Sequence, residues 1–428
     1  MKYQNEIDVI GNYDVVIAGS GPAGICAAKS AALAGASVAL IERYGDVGGA
    51  LTTGFVGPIL GMVGAGSMRH ELVNLLGVPE NDMIGESGRA HDFESAKYLL
   101  ANFVDMDNID VFLQTDVCDV VKEDNVVKGL VVSTNENLKA ILGHTIIDCT
   151  GDGKVCYLAG ADIEKGRDDG LCQPVSLEFT ISGVDEERAL ICIGDVDEVK
   201  IGDEKFLDYC ERLAHDGELP ESLAAVRLHP TVRVGERQVN TTQVNGVDNT
   251  KVQSLFKTQL ELRHQMNQIV DFLKKHVPGY ENCYIKASGT TLGVRESRRV
   301  MGDYVLQVED EINGVKFDDV VVHDAEFIVD IHNPEGAGQA DDKIQYVKPY
   351  DIPYRCFLPR GLDNLMVAGR CISGTHRAHA SYRVMSICMA GGEAVGIAAA
   401  LASKSNIAVR EVNVKEIQNA LKERGVEL

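Results

Sequence analysis

Apolar residues change rhythm several times along this chain, and each change marks an element. Val15-Val16-Ile17-Ala18 is an unbroken apolar run of strand length, and Ser37 to Ile41 is a second. Between them, Ile25 to Ala34 is small and helix-compatible. Residues 67–105 predict mainly helix, with His91-Asp92 opening an apolar-periodic helix from Phe93 to Val104. From Val111 to Cys149 the period shortens to that of strands. Charged turns such as Lys122-Glu123-Asp124-Asn125 break the run, which predicts a β-meander. Ser176 to Ser182 and Tyr284 to Arg295 predict further strands, and Asp203 to His215 and Val252 to His276 predict helices. Near the C-terminus a buried strand, Asn364 to Ala368, leads through the loop CISGTHRAHASYR to a helix rich in Ala and Gly, Val384 to Ala402.

This order of elements predicts an α/β fold. At 428 residues the chain exceeds a single core, so two domains are expected. The second strand–loop–helix platform, near the C-terminus, can join the first only if that domain is discontinuous. The expected division is 1–170 with 301–428 as one domain, and 171–300 as an inserted α+β domain facing the substrate.

The first βαβ unit carries chemistry. Its strand runs at once into Gly19-Ser20-Gly21-Pro22-Ala23-Gly24, and its second strand ends in Glu42, 18 residues beyond Gly24. Gly19 permits the tight turn, Gly21 lets backbone approach a pyrophosphate, and Gly24 lets the helix lie against the sheet. The helix N-terminus offers free N–H groups to phosphates. Glu42 is placed to accept from adenosine ribose hydroxyls, and its charge argues against a 2′-phosphate and so against NADP. The competing reading is a βαβ unit that binds no nucleotide. Eight glycines then crowd the 22 residues from Gly45 to Gly66, including Gly48-Gly49-Ala50-Leu51-Thr52-Thr53. That density predicts a ligand-lining loop rather than a linker.

Composition narrows the partners. Formal net charge is −23, which disfavours nucleic acid and anionic membrane. Eleven cysteines without a CxxC pair disfavour a disulfide framework, a redox pair or a metal ribbon, and no metal is expected. The thiols, Cys26, Cys118 and Cys388 among them, are expected as small core hydrophobes in a reducing cytoplasm. The N-terminus has no apolar leader region and no stretch approaches 18 apolar residues, so neither secretion nor a membrane span is expected. Homo-oligomerisation stays open.

Taken together, GSGPAG (19–24), Glu42, GGALTT (48–53), TGDG (150–153) and the block 363–396 resemble FAD-dependent oxidoreductases of the glutathione-reductase superfamily. VRESRRV (294–300) and IPYRCFLPRGLDNLMVAGRCISGTHRA (352–378) resemble a narrower bacterial FAD-dependent oxidoreductase family. The resemblance implies a Rossmann-like, three-layer FAD-binding domain with FAD as cofactor. Gly19, Gly21, Pro22, Ala23 and Gly24 would cradle the pyrophosphate and Glu42 the ribose. Arg43, Gly48 and Gly49 would line the phosphate and ribityl side, with Thr52 near the isoalloxazine. Val117 would meet adenine through its backbone, and Asp152 would sit at the ribityl and phosphate end. Gly369-Arg370 stands where the wider superfamily usually has Asp, which leaves the ribityl contact open.

A second GxGxxG after a strand is absent, since GAGSMR (64–69) fails at its last position. Electrons are therefore expected from the substrate, or from a diffusing donor or redox partner protein. His376 and His379, in the loop after the C-terminal strand, are candidates for proton handling, with His376 favoured. Arg295, Arg298 and Arg299 suit an anionic small-molecule substrate. The competing reading for these arginines is internal pairing with Glu296. Cys371 has no partner cysteine nearby and is expected to pack. The leading expectation is hydride transfer between flavin N5 and a small organic substrate. The alternatives are a flavin-containing electron-transfer subunit of a larger complex and a flavoprotein hydroxylase.

Overall fold

The structure, a computed structural model, describes residues 6–78, 88–194, 198–336, 338–340 and 344–428. Its main sheet contains β1 (Asp8–Ala18), β2 (Val38–Ile41), β3 (Ile109–Phe112), β4 (Asp116–Glu123), β5 (Val126–Ser133) and β6 (Leu138–Asp148) in the order β3-β2-β1-β6-β5-β4. The strand Leu365–Val367 joins the end of β6 in parallel, beside Ile146–Asp148. Half of β6 thus serves the antiparallel meander and half serves the C-terminal strand. This is how the two chain ends meet in one sheet.

Val15, Val16, Ile17 and Ala18 are completely buried, as a parallel strand covered on both faces requires. β1 begins earlier than its apolar run predicts. Asp8 to Tyr13 is largely solvent-facing and is held as strand by pairing with Lys139 to Gly143 of β6. A partner 131 positions away in the chain decides its state, and no local pattern reports that.

Helix α1 (Pro22–Leu33) lies against the long helix Met385–Ser405 through faces of Gly, Ala and Ser. A Cβ on Gly396 would lie 2.1 Å from Ser30 Oγ and 2.3 Å from the Ala27 carbonyl, and one on Gly392 would lie 2.1 Å from the Ala23 carbonyl. Ser30 Oγ donates across this contact to the Glu393 carbonyl at 2.8 Å. Gly396→Val is expected to cost roughly 1–3 kcal/mol by forcing the helices apart. Urea denaturation checks this, and an unchanged midpoint would mean the contact is slack. The helix Met385–Ser405 is long and apolar enough to cross a membrane, which corrects the expectation that no stretch approaches that length. It is almost wholly buried and serves as a core helix.

Helix α2 (Met68–Leu75) and helix α3 (Phe93–Val104) account for the predicted helical region, and residues 79–87 of it lie outside the described residues. Asp92 caps α3 by accepting from the Ser95 amide at 2.8 Å. Cys118 is exposed, contrary to expectation, because it falls on the outward face of β4.

A second hydrophobic core gathers residues between Val175 and Cys283. It lies on a four-stranded antiparallel sheet in the order Leu228–Pro230, Glu236–Val239, Phe179–Ser182, Tyr284–Ser288. The helices Phe206–His215 and Val252–His276 contribute its other side chains. The chain just beyond this sheet's Tyr284–Ser288 strand touches the glycine-rich loop, where the Thr290 amide donates to the Thr53 carbonyl at 2.9 Å.

Candidate functional site

The glycine turn after β1 shows why each glycine is there. Gly19 has φ +95°, and a Cβ on it would lie 2.5 Å from the Cys149 carbonyl oxygen. A Cβ on Gly24 would lie 1.9 Å from the Gly19 carbonyl oxygen, so α1 can start only as glycine turns into it. Gly21 differs: a Cβ there meets no protein atom within 4 Å, and its φ is an ordinary −65°. The space beside Gly21 is a cradle that side chain would fill. Pro22 supplies the first residue of α1, where a missing N–H costs nothing.

The loop after β2 folds back onto this turn. The Gly48 amide donates to the Ser20 carbonyl at 2.8 Å, and a Cβ on Gly49 would lie 2.8 Å from Gly21 Cα. Gly48 and Gly49 both have positive φ, +105° and +52°. Glu42 is buried and anchored: Ser20 donates to Oε2 through its amide (2.9 Å) and hydroxyl (2.6 Å), and the Tyr44 amide donates to Oε1 (3.0 Å). Oε1 keeps acceptor capacity for a sugar hydroxyl. The Thr115 amide donates to the Glu42 carbonyl at 2.9 Å, which brings Val117 at the start of β4 beside the acid. Thr52 is buried with its hydroxyl donated to the Val47 carbonyl at 2.7 Å, so its polar group holds the loop.

A second constellation forms where β6 ends. Buried Asp148 accepts from the amides of Thr150 (3.1 Å) and Cys156 (2.9 Å) and from the Thr150 hydroxyl (2.7 Å), shaping the TGDG turn. Asp152 Oδ1 accepts from Arg370 (2.8 Å), Ser297 (2.7 Å) and Asn249 (3.1 Å). Burial pushes the Asp152 carboxyl up, but Arg370, Ser297, Arg43 and Asn249 outweigh it and hold it below its usual value. Arg43 itself is exposed and lies over the Tyr44 ring at 4.7 Å. Arg370 lies against Gly151, which has φ +75° and no room for a side chain. Its Nε is buried without a partner. Gly369 has φ +90°, and a Cβ added to it would lie 3.5 Å from Ala23 Cβ. Arg298 donates to the Asp152 carbonyl (3.2 Å) and stacks over Tyr157 at 4.3 Å, so its guanidinium is engaged within the fold.

The histidines lie on a helix, His376–Tyr382, rather than in the expected loop. Thr375 caps it, and that Thr before a short polar run was the signal available in the sequence. His376 Nδ1 lies 2.8 Å from Glu296 Oε1, and Arg299 reaches the same oxygen at 2.6 Å. Glu296 is buried, and its other oxygen accepts from the Gln173 amide at 3.1 Å. Arg299 also donates to the carbonyls of Gly374 (3.0 Å) and Gly166 (2.9 Å), so it serves the fold. His379 is buried behind His376 with Nδ1 unpartnered. Burial, then the charges of Arg383, Arg299, His376 and Arg370, hold its imidazole far below the usual range, so it stays neutral. Cys371 is fully buried, with burial pushing its thiol far up.

Two groupings therefore stand next to one another: the turn with Gly19 to Gly24, Glu42, Gly48 and Gly49, and the cluster of Asp152, Arg370 and Ser297. Ser297, Asn249 and Gln173 were missed by sequence reasoning, because each acts through a partner remote in the chain. Glu296 was foreseen as an internal partner of the arginines, and its pairing with Arg299 bears that out, but its contact with His376 was not. Elsewhere, His323, Asp324 and Asp351 come together, but Lys316 pairs with both carboxylates and supplies the cation. The open cradle at Gly21, the anchored Glu42 and the orphaned Arg370 Nε fit a dinucleotide with a pyrophosphate, a ribose and a hydrogen-bonding ring.

Comparison with known proteins points the same way. The family model described as FAD dependent oxidoreductase matches residues 14–421. A soluble pyridine nucleotide transhydrogenase of Marinomonas sp. (strain MWYL1) is 39% identical over 88 residues, 21% of this chain and 18% of that protein. The chain thus matches less than a fifth of that relative's length. Among solved structures, a geranylgeranyl bacteriochlorophyll reductase-like protein from Thermoplasma acidophilum aligns over 96% of this chain and 83% of its own, at 14% identity and TM-score 0.47. The p-nitrophenol 4-monooxygenase PnpA of Pseudomonas putida DLL-E4 aligns over 96% and 84%, at 10% identity and TM-score 0.49. The family match spans nearly the whole chain and includes every residue of both groupings: the chain belongs to the FAD dependent oxidoreductase family, and its cofactor is FAD.

Proposed function

We propose that the protein transfers a hydride between flavin N5 and a small organic substrate, with His376 as the proton carrier. The observation that carries this reading is the His376–Glu296–Arg299 array, six residues beyond Arg370 in the chain. FAD, when bound, supplies the two-electron chemistry. The chain's own residues place the partners and handle the proton. The Glu296 carboxylate can only accept, so Nδ1 of His376 carries the hydrogen and Nε2 is left as the atom that takes or gives a proton. Glu296 is in turn fixed by Arg299 and the Gln173 amide, which holds the ring in one orientation. Arg370, paired with Asp152, would hold the ribityl and phosphate end of the cofactor.

An anaerobic screen of small acids, alcohols, sugars and amines for bleaching of the bound flavin should find a reducing substrate. With that substrate, His376→Ala should retain flavin and slow single-turnover reduction by roughly 10²–10⁴-fold, the usual worth of a positioned acid or base. Unchanged reduction in the flavin-bound variant would remove His376 from the mechanism.

A further inference from the structure

One polar patch in the substrate-facing sheet is not used by the reading above. The segment carrying Ser176 and Glu178 runs beside the strand Glu236–Val239, where Phe179 pairs with Val239. Glu178 and Gln238 are both buried and in hydrogen-bond contact, and Gln238 also donates to the Phe55 carbonyl at 2.9 Å. Gln238 Oε1 is buried with no partner. Arg295 bridges the other half of the patch, donating to Ser176 Oγ (3.1 Å), the Pro174 carbonyl (3.1 Å) and Asn240 Oδ1 (3.3 Å). All three direct acceptors are neutral, and among the described residues the carboxylates of Glu178 and Asp330 act on Arg295 through charge without an ion-pair contact to it. Two of its five N–H donors are left over.

The place matters as much as the residues. On one side Gln238 touches Phe55, next to the GGALTT loop, and the Gly289 amide donates to the Glu178 carbonyl at 3.0 Å while Gly289 packs on Gly54. On the other side Arg295 is the chain neighbour of Glu296, which holds His376. The patch is thus tied at one end to the GGALTT loop and at the other to the segment that holds His376. Arg295 is partly buried, and a guanidinium whose direct hydrogen-bond partners are all neutral has donors left for an entering anion. Burial and the charges of Arg383 and Arg227 push the Arg295 guanidinium down to about 10, against the pull of Glu178 and Asp330.

We propose that Ser176, Glu178, Gln238, Asn240 and Arg295 form the subsite that takes the substrate's carboxylate group, with Arg295 as the anion clamp. This rests on the flavoenzyme reading and names the substrate class as a small organic acid. Glu178 makes the subsite sensitive to pH. Burial pushes its carboxyl up to about 7, against the pull of Arg295, Gln238 and Arg227. Nearby His229 and His332 are held near 4 and 3, and Asp330, paired with Arg383, stays ionised, so these groups keep one charge state between pH 6 and 8. A second negative charge entering beside Glu178 requires that it be protonated. Carboxylate affinity therefore falls as pH rises through about 7, by up to about tenfold per unit beyond it.

The test titrates the FAD-loaded protein with acetate, succinate and benzoate, and with acetamide, succinamide and benzamide, following the difference spectrum of the bound flavin. At least one carboxylate should give a saturable change that its amide does not. Arg295→Gln should weaken that binding roughly ten- to hundredfold. Glu178→Gln should keep affinity at its low-pH value and remove the pH dependence, a readout that a merely structural role would not move. Flavin-bound wild-type protein that responds to none of the carboxylates overturns the subsite and leaves the flavoenzyme reading standing. Unaltered affinity in flavin-bound Arg295→Gln, or an undiminished pH slope in Glu178→Gln, overturns it as well. Protein that cannot be loaded with FAD would overturn both.

Discussion

Gly21→Val folds with native stability and fails to bind FAD, with affinity lowered on the order of a thousandfold, or about 4 kcal/mol. The separation of folding from binding follows from the geometry. Gly21 has φ −65° and ψ −176°, a conformation open to any residue, and no protein atom stands within 4 Å of an added Cβ. What the valine fills is the cradle at the N-terminus of α1, where phosphate oxygens would meet free amides. Gly24→Val is the contrasting case, because its Cβ would lie 1.9 Å from the Gly19 carbonyl and the turn itself would have to open. That variant should lose stability as well as cofactor. The check is flavin content after saturation with FAD, beside circular dichroism and urea denaturation of the same samples. A folded Gly21→Val protein carrying one flavin per chain would place the pyrophosphate elsewhere.

Glu296→Leu loses about 3–5 kcal/mol of stability, the cost of leaving a buried cation without its counter-charge. The Glu296 side chain has 0% exposure and that of Arg299 3%, and they meet at 2.6 Å. The remaining partners of Arg299 are carbonyl oxygens and the half-exposed Glu164, at 3.5 Å, which cannot replace the lost charge. The same carboxylate fixes the Gln173 amide and His376, so three segments loosen together. Glu296→Gln tests the functional half separately. It keeps shape and some hydrogen bonding while removing the group that holds His376 in one tautomer, so reduction should slow more than stability falls. Urea midpoints of the FAD-loaded proteins decide the first point. A cost below about 1 kcal/mol for Glu296→Leu would show that Arg299 finds other compensation.

The elements that could be read from the chain are those whose pattern is complete within a few turns. Phe93–Val104 and Val252–His276 match their predicted limits, because amphipathic periodicity is a local signal and the first also carries its Asp92 cap. The turn at 19–24 was legible because its glycine spacing directly follows an apolar strand and opens a helix, a signal complete within a few residues even though Gly19 is also crowded by the remote Cys149 carbonyl. Asp8–Tyr13 was not legible, since polar residues became a strand through pairing with β6. His376–Tyr382 was missed because seven residues hold too little periodicity to stand out from a polar loop.

Side-chain roles divide along the same line. By itself the sequence determined the dinucleotide turn, the acid at the end of β2, the single nucleotide fingerprint and the alternation of elements, all written in short-range spacing. Only the tertiary structure decided how the cluster at the other end is wired. Arg370 meets Asp152 across 218 positions, Asn249 meets it across 97, and His376 meets Glu296 across 80. It also decided that Arg298 stacks on Tyr157, that Arg299 is consumed by Glu296, and that Arg295 is left with neutral partners. Three arginines within five residues look alike in the chain; burial and the charge of whatever packs against each one make them different.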